Sequence, residues 1–306
     1  MDFTGTVIAS FGRHVLVRDP EGRERRARPA TRRLSVVSGD AVRCTAEDPS
    51  GEALVVALEP RRTALYRANS RGGSEIVVAN LTLLLVVLAP VPEPDLFLVD
   101  RYLCAAASTA LRATLLVNKC ELGLDVALRR ELAAFERIGY RAIECSARLG
   151  LGVGALLEAC AGATAALVGQ SGVGKSSLVS GLAPQMQVAT GELAREQHGR
   201  HTTTASRLYD LGHGGALIDS PGVRDFAPAL EQLEPASLGF IEIAELAGAC
   251  RFSDCRHLGE PDCAVRSAAA SGALHARRYE SYRRLRRLRD SLSAARGPAK
   301  PRRRST

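Results

Sequence analysis

The sequence predicts a multidomain α/β protein in three parts: a small barrel in residues 1–62, a parallel-sheet domain in 63–230 and a helical domain in 231–306. Short β-compatible runs separated by turn residues fill the first part. Strand and helix patterns alternate through the second part, which is typical of parallel sheets. In the third part, cysteine and histidine cluster ahead of a strongly basic helical pattern.

Composition limits the kinds of protein that the chain can be. It has 306 residues, 46% of them hydrophobic, which is enough for real cores in two or three domains. From Arg277 onward, twelve basic residues face two acidic ones, although the formal net charge of the whole chain is only +8. A basic end on a near-neutral body indicates a polyanionic partner, either nucleic acid or an anionic membrane surface.

The distribution of apolar residues and cysteines predicts a cytoplasmic protein. The first residues lack a charged segment followed by an apolar run, so we expect no secretory signal. The longest apolar stretch, Ile76–Pro92, is short and interrupted, and a buried strand explains it better than a membrane span. Five of the eight cysteines are scattered, which argues against a disulfide framework and for a reducing compartment.

The first sixty residues predict an OB-fold barrel. Strands are expected at Thr4–Ala9, His14–Arg18, Val42–Cys44 and Leu54–Leu58, and Asp19–Gly22 is a turn signal. The segment 23–33 is rich in arginine. Such a face binds RNA or single strands in many barrels, although a merely solvated arginine face remains open because aromatic residues are few here. The polar segment Arg61–Gly73 is predicted to be a linker.

The second part predicts an open parallel sheet covered by helices. Its expected strands and helices, in order, are Leu83–Leu88, helix Leu96–Ala110, Thr114–Val117, helix Leu128–Ile138, Ala142–Cys145 and helix Val153–Cys160. The apolar strand Ala165–Val168 then leads into a glycine-rich loop. In such a sheet the loops that follow the strands lie at one edge, where ligands bind.

That loop matches the phosphate-binding pattern G-x-x-x-x-G-K-[ST] and comprises Gly169, Gln170, Ser171, Gly172, Val173, Gly174, Lys175, Ser176 and Ser177. Its backbone N–H groups and the following helix N-terminus would hold phosphate oxygens. Lys175 would reach the outer phosphates, and the Ser176 hydroxyl would ligate Mg²⁺. Only three lysines occur in this arginine-rich chain, and one of them stands in this loop.

Two further motifs indicate that the base is guanine. Asn118-Lys119-Cys120-Glu121 is similar to N-K-x-D, whose carboxylate accepts two N–H bonds from the guanine edge. Here Glu121 replaces Asp and adds one methylene, which leaves base geometry and affinity open. Ser146-Ala147, after the third strand, is similar to the S-A-x motif that contacts guanine from the backbone.

The catalytic candidates follow the phosphate loop. Asp219 and Gly222 fit D-x-x-G, in which Asp holds Mg²⁺ through water and the Gly N–H senses the γ-phosphate. The loop 199–204 would be a switch whose Thr202 or Thr203 completes the Mg²⁺ shell; Thr203 is our candidate. Val223 cannot orient water where GTPases often carry Gln, so His201 is the candidate for that role, with an ordinary loop histidine as the alternative.

The order of these motifs is permuted. The guanine motifs precede the phosphate loop here, whereas GTPases usually carry them after D-x-x-G. The switch therefore runs directly into the third part of the chain, and we expect nucleotide state to be transmitted mechanically in that direction.

In the third part, Cys250, Cys255, His257 and Cys263 have a spacing that predicts a closed Cys₃His site for one structural zinc ion. Beyond it, Tyr282, Leu285, Leu288 and Leu292 form a narrow apolar stripe at helical spacing, surrounded by arginines. We expect that helix to pack on its own domain and to present arginine to phosphates, and we expect the last ten residues to be disordered.

Taken together, these features closely resemble the ribosome small-subunit-dependent GTPase A (RsgA) family, over nearly the whole chain. The residues that carry this resemblance are Asn80, Leu98–Leu103, Gly169–Ser177, Gly199–Thr204, Asp219–Val223 and Cys250–Cys263. The resemblance implies a monomeric cytoplasmic GTPase that uses Mg²⁺ with GTP, binds the small ribosomal subunit and its rRNA late in assembly, and is stimulated by them. It also implies that the three cysteines and His257 hold zinc. Two alternatives remain: a GTP-dependent RNA-binding switch with little turnover, and a membrane-surface GTPase, which the lack of a lipidation signal disfavours.

Overall fold

The computed structural model describes residues 2–11, 13–46, 48–49, 51–69, 73–182, 206–224 and 228–295. The chain folds into two compact units, Met1–Ala229 and Leu230–Thr306. The predicted disordered tail, 297–306, lies outside the described residues. No helix within the described ranges has both the length and the apolar character needed to cross a membrane.

A closed barrel begins the first unit, as predicted. Its strands are β1 (Phe3–Phe11), β2 (His14–Arg18), β3 (Glu24–Pro29), β4 (Ala41–Cys44) and β5 (Glu52–Leu58). The hydrogen-bonded order is β1-β2-β3-β5-β4, and β1 also pairs with β4, which closes the barrel. Val7, Val17 and Val55 are fully buried inside, because β-branched side chains pack well on a pleated face.

The turn after β2 is held by one buried carboxylate. Asp19 accepts hydrogen bonds from the Arg23 backbone N–H at 2.8 Å and from the Nε atoms of Arg23 and Arg25, each at 3.0 Å. Burial by itself raises the pKa of Asp19, but these bonds outweigh it, so the pKa falls to about 2. Part of the arginine-rich segment therefore stabilises the barrel.

The second sheet region continues from the barrel. Strand β1 pairs antiparallel with β12 (Ser206–Gly212), which pairs antiparallel with β13 (Gly215–Asp219). Beyond β13, four parallel strands follow in the order β11 (Thr164–Gly169), β8 (Leu83–Leu88), β9 (Arg112–Val117) and β10 (Arg141–Glu144). Every residue of β8 is buried, as expected for a strand covered on both faces. The phosphate-loop strand β11 is thus central, and the guanine-motif strands lie on one side of it.

The segment that was predicted to be a linker is structured, so that prediction was wrong. Strand β6 (Ala64–Ala68) pairs antiparallel with β7 (Ser74–Ala79) in a separate two-stranded sheet. Leu65 and Val78 lie opposite each other and are buried, although arginine and serine dominate the local sequence. Tertiary burial of a few apolar residues overrides the polar composition here.

The hairpin is also hydrogen-bonded to the barrel. The Ala79 N–H donates to the Ser38 carbonyl at 3.1 Å, and Asn80 Nδ2 donates to the Gly39 carbonyl at 2.9 Å. Gly39 has φ 91°, and a Cβ there would lie 2.0 Å from the Ala79 carbonyl oxygen. Only glycine permits this close approach between the barrel loop and the hairpin.

Helices cover the parallel strands, and the first two begin at side-chain caps. They are α1 (Leu96–Ser108), α2 (Val126–Arg137), α3 (Val153–Cys160) and α4 (Lys175–Leu182), followed by the short α5 (Pro221–Arg224). The carboxylates of Asp95 and Asp125 accept the N–H groups of Leu98 and Leu128, which satisfies donors that a helix start leaves free. Predicted and observed helix boundaries differ by at most two residues in α1 to α3.

The second unit is helical, with α6 (Ile241–Ala247), α7 (Ala264–Ser271) and α8 (Ala276–Ala295). The guanidinium of Arg278 is buried and pairs with both carboxylate oxygens of Glu242, at 2.7 and 2.8 Å. It also lies over the Phe240 ring, with 4.7 Å from its central carbon to the ring centroid. A buried charge requires such a complete set of partners, so this pair locks α8 to α6.

Only half of the predicted apolar stripe on α8 is buried. Tyr282 and Leu285 are fully buried, whereas Leu288 and Leu292 are 38% and 41% exposed. The helix therefore packs through its first half, and its second half extends past the core of the unit.

The Asp19 carboxylate predicts a specific acid sensitivity. A folded-state pKa below the ordinary value means that its stabilisation is present above about pH 4 and is lost as pH falls towards 2. We expect Asp19→Asn to lower the urea midpoint of the full chain at pH 7, and the gap from wild type to be smaller at pH 3 than at pH 7, in circular dichroism. Glu21→Gln, an exposed carboxylate in the same turn, is the control. A gap that stays constant between pH 7 and pH 3 would contradict this account.

Candidate functional site

The glycine-rich loop joins β11 to α4 at the edge of the parallel sheet. Gly169 and Gly174 have φ values of 149° and 92°. A Cβ on Gly169 would lie 2.2 Å from the Val87 carbonyl oxygen, and one on Gly174 would lie 2.3 Å from Asn118 Nδ2. The glycines thus allow the loop to press against two neighbouring segments, which fixes the direction of its N–H groups.

Lys175 is buried at the first position of α4. Its Nζ donates to the carbonyl oxygens of Gly169 at 2.6 Å and Gln170 at 2.8 Å. The ammonium therefore lies within the curve of the loop. Ser171, Ser176 and Ser177 are exposed there, and Val173 is buried beneath the loop. This arrangement combines backbone donors with one positive charge, the combination that binds a polyphosphate.

Asn118 connects the phosphate loop to the predicted guanine motifs. Its side chain is buried, Nδ2 donates to the Val173 carbonyl at 2.8 Å, and Oδ1 accepts from the Ala147 N–H at 3.0 Å. Lys119, in the left-handed conformation at φ 61°, extends its Nζ to the Gly172 carbonyl at 2.7 Å. Residues from three strand ends are thereby brought together at one edge of the sheet.

Glu121 and Ser146 lie beside this junction. Ser146 is buried, and its Oγ accepts the Leu149 N–H at 3.1 Å, which closes the loop after β10. The Glu121 side chain is 12% exposed, and its Oε1 lies 3.2 Å from Arg148 Nε. The Ser146 hydroxyl and the backbone N–H of Glu121 lower the pKa of its carboxyl against the effect of burial, and Arg148 adds to the lowering. Glu121 therefore stays ionised and can accept hydrogen bonds.

The D-x-x-G residues lie at the same edge. Strand β13 runs parallel to β11 with Ile218 opposite Ala166, so Asp219 ends its strand beside the one that leads into the phosphate loop. Gly222 lies in α5, which packs against β11. A Cβ on Gly222 would lie 2.9 Å from Val77 Cγ1, so the hairpin β6–β7 leaves room only for glycine. His201, Thr202 and Thr203 lie outside the described residues.

Two contacts at the site were not predicted from the sequence. The Asp95 backbone N–H donates to Gln170 Oε1 at 2.9 Å, and the Val91 carbonyl accepts from Lys119 Nζ at 2.8 Å. The proline-rich stretch between β8 and α1 thus supports the phosphate loop. The composition of this stretch indicates only an irregular connection, so no sequence pattern predicted its contacts with the site.

The predicted metal ligands form a compact cluster in the second unit. The donor atoms of Cys250, Cys255, His257 and Cys263 all lie within 4.8 Å of one another. Cys250 Sγ lies 3.9 Å from Cys263 Sγ, and His257 Nδ1 lies 3.5 and 3.4 Å from these two sulfurs. A tetrahedral site with metal–sulfur bonds of about 2.3 Å requires edges of about 3.8 Å. Four soft donors at these separations fit a metal ion.

The rest of the unit holds the metal loop in shape. The hydroxyls of Tyr279 and Tyr282 on α8 donate to the carbonyls of His257 at 2.7 Å and Arg256 at 2.9 Å. The Glu260 carboxylate accepts N–H groups from Arg256, Leu258 and Gly259. Burial raises the pKa of Glu260, but these N–H bonds outweigh it and bring the pKa to about 2. Burial also lowers the pKa of His257, which favours the neutral imidazole that binds metals.

Comparison with known proteins shows the family of the chain. The RsgA GTPase family model matches residues 58–228. The small ribosomal subunit biogenesis GTPase RsgA of Azotobacter vinelandii is 41% identical over 293 residues, covering 92% of this chain and 84% of the relative. The protein of the same name from Saccharophagus degradans is 40% identical over 297 residues, covering 92% and 85%.

Two solved structures have a similar fold. The crystal structure of YjeQ from Thermotoga maritima matches with a TM-score of 0.72 and 25% identity, covering 97% of this chain and 100% of the other. The structure of YloQ, a circularly permuted GTPase, matches with a TM-score of 0.72 and 22% identity, covering 98% of each chain. The permuted order of the motifs is thus a property of the fold.

The donor cluster predicts a dependence on metal. We expect the purified chain to hold ~1 equivalent of metal, measured by inductively coupled plasma mass spectrometry, and Cys263→Ser to lose most of it because one thiolate is removed. Cys44→Ala, which removes a buried thiol in the barrel, is the control and should retain the metal. Equal metal content in the two variants would refute the assignment.

Proposed function

This chain belongs to the RsgA GTPase family and is a GTP hydrolase, and we propose that it binds the small ribosomal subunit and its rRNA and hydrolyses GTP late in subunit assembly. The observation that carries the proposal is the Asn118 side chain, which joins the phosphate loop to the Ser146–Ala147 loop. A phosphate site and a guanine-motif edge are thereby held at a constant separation, as a nucleoside triphosphate requires.

The phosphate end of the site is assigned to the loop and α4. Backbone N–H groups from Gly169 to Ser177 would bind the phosphates, and Lys175 would neutralise their charge. Mg²⁺ would be held by Ser176 and Thr203, with Asp219 acting through water, and it would supply charge stabilisation on the phosphates. The Gly222 N–H would sense the γ-phosphate.

The base end is assigned to the loops after β9 and β10. The ionised Glu121 carboxylate would accept the two N–H groups of the guanine edge, which adenine does not offer. The backbone of Ser146 and Ala147 would contact the base, and the Lys119 stem would pack beside it. Asn118, whose side chain is already used in holding the loops, would act by positioning them.

Orientation of the attacking water is assigned to His201. The residue after Gly222 is Val223, whose buried side chain carries no polar atom and so cannot orient a water molecule. A histidine in the switch loop, close to the Mg²⁺ ligand Thr203, is the polar group in the motif that can take this role.

Binding of rRNA is assigned to exposed arginines. In the barrel, Arg26, Arg28, Arg32 and Arg33 are exposed in β3 and the loop that follows it. On α8, Arg284 and Arg287 are exposed, whereas Arg278 and Arg286 are buried and structural. Cationic faces of this kind bind phosphate backbones with strong salt dependence. We further propose that the Cys₃His cluster holds one structural zinc ion and that the protein is a cytoplasmic monomer.

Stimulation by the ribosomal subunit tests the proposed partner. We expect slow GTP hydrolysis by the purified protein, a rise on addition of small subunits at low salt, and loss of that rise as salt screens the arginines. Lys175→Ala should abolish hydrolysis under both conditions, while Ser180→Ala, exposed further along α4, should not. Phosphate release would be measured. If no rise occurs at low salt with active wild-type enzyme, the proposed partner is wrong.

The role of His201 has its own test. Loss of a positioned proton acceptor lowers turnover by about 10²–10⁴-fold without affecting ground-state binding. We expect His201→Ala to reduce kcat to this extent with small subunits present and to leave the GTP dissociation constant within about twofold of wild type. His213→Ala, which removes another histidine of the first unit, is the control. A parallel loss of GTP affinity would instead indicate a binding role.

A further inference from the structure

Glu121, the carboxylate that we propose binds the base, has one more rotatable bond than the aspartate of the guanine motif. Each additional sp³ torsion offers about three staggered wells, so an unconstrained Glu121 would be in the productive orientation only part of the time. Guanine presents two N–H donors side by side, and both carboxylate oxygens must lie in the plane of the base to accept them. A neighbouring group must therefore hold the longer side chain in the orientation that binds guanine.

The backbone around Glu121 is already constrained. Glu121 lies in the 3₁₀ turn Cys120–Leu122, which follows Lys119 in the left-handed conformation. The Cys120 N–H donates to the Cys145 carbonyl at 3.1 Å, and the Ala147 N–H donates to Asn118 Oδ1. These bonds hold the turn and the loop after β10 at a constant separation, so side chains at 121 and 148 meet in a defined geometry.

Arg148 supplies a side-chain contact to the carboxylate, in addition to the neighbouring Ser146 hydroxyl. Its Nε lies 3.2 Å from Oε1, whereas Oε2 is buried and makes no hydrogen bond with the described residues. A carboxylate oxygen has two lone pairs, so Oε1 can accept from Arg148 and from a ligand together. The buried, unpaired Oε2 is an acceptor that calls for a donor, because native proteins rarely leave such an atom unsatisfied.

We propose that Arg148 is a positioning residue for guanine recognition, which holds Oε1 of Glu121 so that both oxygens face the base edge. The inference rests on the proposed guanine site and goes beyond it, because it names the residue that compensates for Glu in place of Asp. The Arg148 side chain is 72% exposed, and exposed pairs contribute little to stability. Its removal therefore leaves the fold intact and changes only the orientation of the carboxylate.

The test compares GDP with IDP, since inosine lacks the 2-amino donor. We expect Arg148→Ala to weaken GDP binding about 3- to 10-fold and IDP binding less than twofold, with kcat at saturating GTP unchanged. Arg130→Ala, an exposed arginine on α2, is the matched control and should leave both affinities unchanged. Fluorescent GDP and IDP analogues give the dissociation constants.

A double-mutant cycle separates positioning from stacking. In the Glu121→Asp background the carboxylate recedes by one bond, about 1.5 Å, and can no longer reach Arg148. Arg148→Ala should then change GDP affinity less than twofold. Equal losses in both backgrounds, or equal losses for GDP and IDP, would overturn the proposal and indicate that Arg148 stacks on the base. A wild-type protein with no preference for GDP over ADP would instead refute the guanine site itself.

Discussion

One buried amide, the side chain of Asn118, determines the geometry of the proposed nucleotide site. Its donor binds the phosphate loop at Val173 and its acceptor binds the loop after β10 at Ala147. Neither bond could be lost cheaply, because an unsatisfied polar atom in a buried position costs about 1–3 kcal/mol. Aspartate, of nearly the same size, would lack the donor and set a charge against the Val173 carbonyl. The glycine-rich loop and the loop after β10 are therefore held at a constant separation by one amide group, and the absence of a Cβ on Gly174 makes room for it.

The permuted chain order leaves this geometry intact because strand neighbours, and not sequence order, bring the loops together. Strands β9, β8, β11 and β13 are adjacent, so the loops that follow them share one edge. Permutation instead changes which other segments of the chain are connected to these strands. Strand β12 continues into the barrel through β1, and the backbone at Pro228 and Ala229, just past α5, pairs with Arg67 and Tyr66 of the hairpin. The segments that surround Gly222 are thus tied to the hairpin, which in turn is bonded to the barrel at Ser38 and Gly39.

Arginine serves two distinct purposes in this chain, and composition alone does not separate them. Arg278 pairs with Glu242 in the interior of the second unit, and Arg286 donates to the carbonyls of Pro235 and Ala236. Asp19 holds Arg23 and Arg25 in the barrel turn. A charge count over the last thirty residues therefore overstates the surface available to a polyanion. Fewer arginines are exposed than the charge count suggests. The basic helix α8 can pack on its own unit because its buried arginines have partners there.

Local sequence determined the features whose partners are near in the chain. The phosphate-loop motif and the four metal ligands each lie within a short stretch of chain, so spacing and residue type were sufficient to predict them. Short β-compatible runs separated by turn residues similarly predicted the barrel.

Tertiary structure decided the remaining features. Strands β6 and β7 pair because Leu65 and Val78 are buried by tertiary contacts, although the sequence around them is polar. Leu288 and Leu292 remain exposed because the core of the unit ends before them. Asp95 meets Gln170, and Arg148 meets Glu121, only because segments distant in sequence end at the same edge of one sheet. Contacts of that kind depend on strand order, which no local pattern encodes.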